Sequence, residues 1–154
     1  MNNDILQNAP FVAAALSVLV AQMLKPFVNA IFERRFDWRL LHSTGGMPSS
    51  HTAGVIALTT SIALTEGVGT VHFAIAVTFA AIVIHDAMGI RRAAGKQAAV
   101  INEWSRLLSD IHREGPFNPE NLKTMLGHSF SQVFFGTLLG LIIGLSTTGY
   151  ILGT

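Results

Sequence analysis

The sequence predicts an all-α protein: a polytopic transmembrane bundle of four or five helical spans with an interfacial amphipathic helix. Half of its 154 residues are hydrophobic and only 12% are charged, whereas soluble domains carry about 25% charged residues. This apolar composition and a net charge of +1 exclude a disordered or nucleic-acid-binding chain. The length suits one domain, residues 1–154, and the lack of cysteine excludes disulfides and thiolate chemistry.

Long stretches without charged side chains define the spans. About 20 apolar residues cross a bilayer, and the second stretch reaches that length only if residues 47–51 form its first turn. The third stretch is interrupted only by His72. A fifth span would require residues 25–36 to enter the membrane. The four stretches are residues 5–24, 52–65, 67–85 and 124–154.

Two further features complete the predicted fold. In the last span, Gly136, Gly140 and Gly144 recur on one helix face. Small residues at this spacing predict close packing against another helix, and association of two copies through this face is the alternative. Before that span, apolar and charged side chains fall on opposite faces, which predicts an interfacial amphipathic helix. Its apolar face consists of Val100, Ile101, Trp104, Leu107, Leu108 and Ile111.

The basic residues predict the orientation. With four spans, all 10 Lys and Arg residues lie in the loops after the first and third spans, which face the same side. The positive-inside rule makes that side cytoplasmic, with both termini outside. The sequence therefore predicts a multi-pass protein of the cell membrane, surrounded by the lipid bilayer, with its basic loops in the cytoplasm.

A glycine-rich segment comes directly before the second span. Residues 45–51 read Gly-Gly-Met-Pro-Ser-Ser-His. Glycines let a backbone approach an anion, and a helix N-terminus offers N–H groups to it. Ser49 and Ser50 add hydroxyl donors and His51 adds a titratable proton, so this segment could hold a phosphate. The alternative is that Ser49 or Ser50 only caps the helix and that His51 faces water.

A second polar cluster ends the third span. His85 and Asp86 come shortly before Arg91, Arg92 and Lys96. The cations are interpreted either as phosphate ligands or as a cytoplasmic anchor for the helix. The carboxylate at the membrane boundary is expected to need a partner. No metal-ligand spacing accompanies these residues, so neither a metal nor another cofactor is predicted.

A third cluster opens the last span at His128. Taken alone, this residue would more often be a packed or interfacial histidine than a catalyst. With four spans, however, His51, Asp86, Arg91 and His128 all reach the same side of the membrane. This convergence of residues from three spans predicts a single polar site, on the cytoplasmic side.

Three segments carry a family resemblance. Residues 48–51, Pro-Ser-Ser-His, resemble the Pro-Ser-Gly-His motif of the type 2 phosphatidic acid phosphatase and vanadium haloperoxidase superfamily. Residues 128–136 are similar to its closing His-x-x-x-Asp-Val-x-x-Gly segment. Together with residues 86–98, they resemble the divergent phosphatidic acid phosphatase group of small bacterial and plant membrane proteins. The resemblance covers roughly residues 22–136.

The resemblance implies a metal-independent phosphatase that acts on a phospholipid, a prenyl phosphate or a prenyl pyrophosphate. His128 takes the position of the nucleophile, which forms a phosphohistidine, and His51 takes that of the general acid. Ser49 matches the phosphate-binding serine, while Ser50 stands where the superfamily has glycine. Lys25 is the best match to the lysine of the family's opening motif.

The chain also departs from the family pattern. Gln132 replaces the aspartate that orients the nucleophilic histidine, and Asp86 is a candidate substitute. The family's Ser-Arg pair is missing from residues 121–122, and Arg91 or Arg92 could supply its guanidinium. These departures support a second hypothesis, a noncatalytic relative that binds or moves a phosphorylated lipid.

The two histidines provide a geometric test of the enzymatic hypothesis. Imidazoles of His51 and His128 that lie about 6–9 Å apart would leave room for one phosphoryl group between them. Lys25 or Arg91 is expected beside that gap. Histidines on opposite sides of the bilayer would exclude the enzymatic hypothesis.

Overall fold

A computed structural model describes residues 5–43, 45–111, 122 and 128–153, without the side chains of residues 90–92 and 109–111. Every regular element within these residues is helical, which confirms the all-α prediction. The α-helices are α1 (Ala9–Glu33), α2 (Ser50–Thr65), α3 (Val71–Met88), α4 (Ile90–Ile111) and α5 (Phe130–Leu152), with short 3-10 turns at Ile5–Gln7 and Trp38–His42.

The start of α2 is set by its cap. The backbone of Ser49 is extended and its side chain accepts from the N–H of Thr52, satisfying a donor that the first helical turn leaves without a partner. Gly46, with a φ of +91°, turns the chain just before this cap. The helix therefore begins at Ser50. The prediction that residues 47–51 form its first turn is wrong for residues 47–49, which precede the helix. The side chains of Asn8, Thr70 and Ser129 cap α1, α3 and α5 in the same way.

The number of spans matches the prediction only approximately. Among the described residues, three helical stretches are long and apolar enough to cross a membrane: Ala9–Glu33, Val71–Leu108 and Phe130–Leu152. With 16 residues, α2 is only about 24 Å long, and it packs against α1, α3 and α5. The expectation of a possible fifth span is wrong for residues 25–33, because they continue α1 without interruption.

The three glycines of α5 pack against α2, as predicted. A methyl group on Gly136 would lie 2.7 Å from the carbonyl oxygen of Ser49, and one on Gly140 would lie 2.5 Å from that of Ala53. A methyl group on Gly144 would lie 2.9 Å from Cβ of Thr60 and 3.0 Å from the carbonyl oxygen of Ala57. Since the contacts advance together along both helices, α2 and α5 are parallel. The glycine face considered for self-association is thus covered by α2 of the same chain.

The remaining helix, α4, has the predicted amphipathic pattern. It packs against α3, and apolar side chains such as Val100, Ile101 and Trp104 are exposed. Exposure of apolar side chains along one face is typical of a helix that lies at a membrane surface. Its interfacial position stays a prediction.

The four packed helices α1, α2, α3 and α5 alternate in direction, so each end of the bundle contains two helix N-termini and two helix C-termini. At one end, called the site end below, the C-termini of α1 and α3 meet the N-termini of α2 and α5. At the other, the opposite end, Glu66 follows α2 and Nδ1 of His72 in α3 lies 2.6 Å from its carboxylate. The side chain of Asn8, before α1, lines the same cavity as Glu66 and His72.

Candidate functional site

Backbone hydrogen bonds join the helix termini at the site end. The N–H of Ser49, before α2, donates to the carbonyl oxygen of Gln132 in α5 at 3.0 Å. The N–H of His128, before α5, donates to the carbonyl oxygen of Ala87 in α3 at 2.8 Å. Three helices distant in sequence are therefore fixed to one another where the polar segments lie.

His51 and His128 come together as predicted. Their ring centroids are 6.2 Å apart and the ring planes are inclined by 51°, which falls within the expected separation. His128 is only 4% exposed, whereas His51, in the first turn of α2, is exposed. One imidazole is thus rigidly enclosed, and its neighbour remains accessible.

The side chain of Gln132 fixes the tautomer of His128. Its Oε1 accepts from the backbone N–H of Ser129 at 3.1 Å, and this donor identifies the amide atom as the oxygen. The same oxygen lies 3.0 Å from Nδ1 of His128. Because an amide oxygen can only accept, Nδ1 carries a proton, and in the neutral imidazole the lone pair is therefore on Nε2. Gln132 therefore orients the imidazole without adding a charge.

Lys25 is buried beside this arrangement. It is 1% exposed, and its Nζ donates to the carbonyl oxygen of Ser43 at 2.8 Å. The lysine stem passes close to Gly46, where an added methyl group would lie 3.6 Å from Cδ. Lys25 and Gln132 line the same cavity of about 360 Å³, so the cation lies on the α5 side of the site.

The two serines differ in their surroundings. Ser49 is fully buried, and its Oγ accepts from both the N–H and the hydroxyl of Thr52, at 3.3 and 3.0 Å. Ser49 therefore caps α2, as the sequence allowed for one of the two serines. Ser50 is the first residue of α2 and is also buried. The phosphate-binding role of both residues stays a prediction.

The comparisons with known proteins agree with this architecture. The family model described as the divergent PAP2 family matches residues 6–143. The chain belongs to that family. It is 40% identical to the uncharacterized membrane protein YuiD of Bacillus subtilis (strain 168) over 151 residues, which cover 92% of this chain and 95% of the relative. No solved structure matches.

Membership of the divergent PAP2 family is consistent with the resemblance found in the motifs, and the structure gives a physical role to the family's closing glycine. Gly136 contacts Ser49, where a Cβ would lie 2.7 Å from the serine carbonyl oxygen. Only a residue without a side chain lets the start of α2 approach α5 this closely. The glycine therefore sets the distance between the two histidine-bearing helix termini.

The remaining predicted site residues come from the junction of α3 and α4. Asp86 is half-buried and directly precedes Ala87, whose carbonyl oxygen accepts from His128. Arg91 and Arg92 belong to the first turn of α4, and their side chains lie outside the described residues. Among the residues that the structure does describe, no three His, Asp or Glu side chains are grouped closely enough to hold a metal ion.

Gln22 has a positioning role that its place in the sequence did not predict. Its Nε2 donates to the carbonyl oxygens of Leu41 and Ser43 at 2.7 and 3.0 Å, and so ties the segment before the glycine-rich loop to α1. Ser43 is also the partner of Lys25. The available signal was a polar amide at the end of an apolar span, since such groups need partners in a membrane.

Proposed function

We propose that this protein removes the terminal phosphate from a phosphorylated membrane lipid through a phosphohistidine on His128, without a metal ion. One observation carries the proposal: a buried imidazole held at Nδ1 by Gln132 lies 6.2 Å, centroid to centroid, from the accessible imidazole of His51. A nucleophile held by a hydrogen bond and a nearby acid are the two groups that phosphoryl transfer by this route requires.

The proposed reaction has two steps. In the first, Nε2 of His128 attacks phosphorus, the bond from phosphorus to the lipid oxygen breaks, and His51 donates a proton to that oxygen. In the second, the oxygen of a water molecule attacks phosphorus, the bond from phosphorus to Nε2 of His128 breaks, and the water gives a proton to His51, so that phosphate leaves and both imidazoles return to their starting states. Proton transfer of this kind is worth about 10²–10⁴-fold in rate.

The negative charge of the phosphoryl oxygens requires electrostatic stabilisation. Lys25 is a cation of the same end of the bundle and lines a cavity with Gln132. The N-terminus of α2, at Ser50, adds the positive end of a helix dipole. Arg91 and Arg92 are proposed as further phosphate ligands because their backbone follows closely on Ala87.

The protein is proposed to lie in the cell membrane with the site end in the cytoplasm. The support is the positive-inside rule, since the basic loops of the chain follow the first and third spans of the four-span topology. A site at the ends of the helices would admit a lipid laterally from the inner leaflet.

A second candidate function is noncatalytic binding or transport of a phosphorylated lipid. The observation that favours it is Gln132, whose neutral amide occupies the position that aspartate has in the superfamily motif. An amide orients the imidazole but does not neutralise the imidazolium that forms when His128 is phosphorylated. This candidate predicts saturable binding without phosphate release.

The test is phosphate release by the purified protein in detergent, with phosphatidic acid and farnesyl phosphate as substrates. We expect H51A and H128A each to abolish release, and acid-labile phosphate to be trapped on wild-type protein but not on H128A. H85A is the matched control, because His85 is an exposed histidine of the same end of the bundle. Full turnover in both H51A and H128A would refute the phosphatase proposal.

A further inference from the structure

An apolar groove runs along the outside of the bundle between α1, α2 and α3. It consists of two adjoining cavities of about 600 and 510 Å³. The two cavities share four of their lining residues, so they form one continuous groove. The shared residues are Phe11, Ala14, Leu58 and Phe79.

Polar side chains mark the two ends of this groove. His51 lines it at the site end, and Glu66 and His72 line it at the opposite end. From His51 to Glu66 the α2 backbone rises by about 22 Å. The groove is therefore longer than one leaflet of the hydrocarbon core, which is about 15 Å thick. A hydrocarbon chain of ordinary lipid length fits along it.

The direction of the proposed reaction selects this groove over its neighbour. In phosphoryl transfer the attacking and leaving atoms lie roughly in line on opposite sides of phosphorus. With His128 as nucleophile and His51 as acid, the lipid oxygen and the chain attached to it lie on the His51 side. A neighbouring apolar cavity, about 290 Å³ between α1 and α5, is lined by Leu138 but not by His51.

We propose that the groove between α1, α2 and α3 is the binding site for the hydrocarbon chain of the phosphorylated lipid, and that it makes the protein selective for long-chain substrates. This inference rests on the proposed function for the position of the phosphate. The support for a hydrocarbon occupant is the apolar lining of the cavity that contains the candidate acid His51, and the groove continues from there between apolar side chains as far as Glu66 and His72.

The first experiment measures how blocking the groove changes chain-length preference. Palmitoyl and butyryl lysophosphatidic acid are compared as substrates for the wild type, A14F and L58W. We expect the ratio of kcat/KM for palmitoyl over butyryl substrate to fall by about tenfold in both variants, because an occupied groove excludes only the long chain.

The controls are matched in chemistry and position. A81F introduces the same ring at an exposed alanine of α3 that does not line the groove, and L138W fills the cavity between α1 and α5. Both are expected to keep the wild-type ratio. An unchanged ratio in A14F and L58W, or a tenfold fall in L138W alone, would overturn the groove assignment.

A second measurement does not depend on turnover. Palmitoyl lysophosphatidic acid with a diazirine at the chain end is photolysed with the full-length protein in phosphatidylcholine vesicles. Labelling near Phe11 or Leu58 that unlabelled palmitoyl lysophosphatidic acid suppresses supports the groove, whereas labelling near Leu138 or labelling without competition overturns it. Absence of wild-type phosphate release would defeat the phosphatase proposal alone, because the labelling pattern still decides the groove.

Discussion

Each end of the bundle contains a histidine whose Nδ1 lies within hydrogen-bond distance of a side-chain oxygen, but the two arrangements differ in kind. At the opposite end, His72 lies 2.6 Å from the carboxylate of Glu66, with side chains 71% and 40% exposed. At the site end, His128 lies 3.0 Å from the amide of Gln132 and is 4% exposed. At the opposite end the exposed histidine therefore has a carboxylate acceptor, and at the site end the buried histidine has a neutral amide acceptor.

The difference shows what orients a side chain in this fold. Even when it is fully charged, an exposed pair of this kind contributes only about 0–1 kcal/mol, because it pays side-chain entropy in water, and it fixes direction poorly. At the site end, the amide oxygen is itself fixed by the Ser129 N–H, and the helix that carries it is bonded to Ser49. Orientation at the site therefore comes from backbone contacts between helix termini.

The largest expected effect comes from comparing G136A with G144A, one glycine towards each end of the α2–α5 contact. The added methyl group would lie 2.7 Å from the Ser49 carbonyl oxygen in the first variant and 2.9 Å from Cβ of Thr60 in the second. Overpacking of this kind costs about 1–3 kcal/mol, so thermal unfolding in detergent should show similar destabilisation of both.

Only G136A should also damage the site. Separating Ser49 from α5 moves His51 relative to His128, and a displacement of about 1 Å costs roughly 10²-fold in rate. Phosphate release, or phosphate binding if the protein is noncatalytic, is the measurement. G69A is the control, because a methyl group there contacts nothing within 4 Å. Equal loss of activity in G136A and G144A would contradict the proposed division between the two ends.

A smaller effect is expected from removing the neutral acceptor. Q132L deletes the oxygen that orients His128 and caps the Ser129 N–H, and losing such an orienting partner typically costs about 10–100-fold. Q132E keeps an acceptor of the same length and adds a charge that stabilises the imidazolium. We therefore expect phosphate release to fall in Q132L and to be equal or higher in Q132E. Wild-type turnover by Q132L would show that Gln132 does not position His128.

Lys25 gives a third test, in which binding and stability should separate. K25M removes a buried charge and one hydrogen bond to Ser43. The lost bond costs about 1–3 kcal/mol, but the methionine no longer requires a desolvated ammonium group, so the unfolding free energy should change by about 1 kcal/mol or less. Orthovanadate affinity should fall about tenfold, or about 1.4 kcal/mol. Unchanged vanadate affinity would remove Lys25 from the phosphate site.

The sequence predicted the meeting of the histidines because that follows from topology alone. Once four apolar helices alternate in direction, the start of α2, the end of α3 and the start of α5 must share one side. The side chains that meet there, His51 and His128, are then identified by the residues that occupy those helix boundaries in the sequence. The glycines of α5 were equally readable, since their spacing indicates close helix packing.

Other features depend on contacts that a sequence does not display. The sequence does not distinguish whether the hydroxyl of Ser49 caps a helix or binds a phosphate. Its burial is a property of the tertiary structure. The same cap shortens α2 below the length of a span. Gln22 was overlooked because its three carbonyl partners lie about 20 residues further along the chain. The dual role of Gln132 likewise needs the position of the Ser129 N–H.

The smallest effect is expected at the opposite end, from E66Q. The substitution removes the charge that pairs with His72 but keeps a hydrogen-bonding side chain of the same size. Since both groups are exposed, the unfolding free energy should fall by no more than about 1 kcal/mol, and raising the salt concentration should reduce even that difference. Phosphate release from a short-chain substrate such as butyryl lysophosphatidic acid should equal that of the wild type, because the pair lies a full helix length from His51 and lines only the far end of the proposed groove. A large loss of activity in E66Q with unchanged stability would mean that the two ends are coupled, and that the opposite end takes part in function.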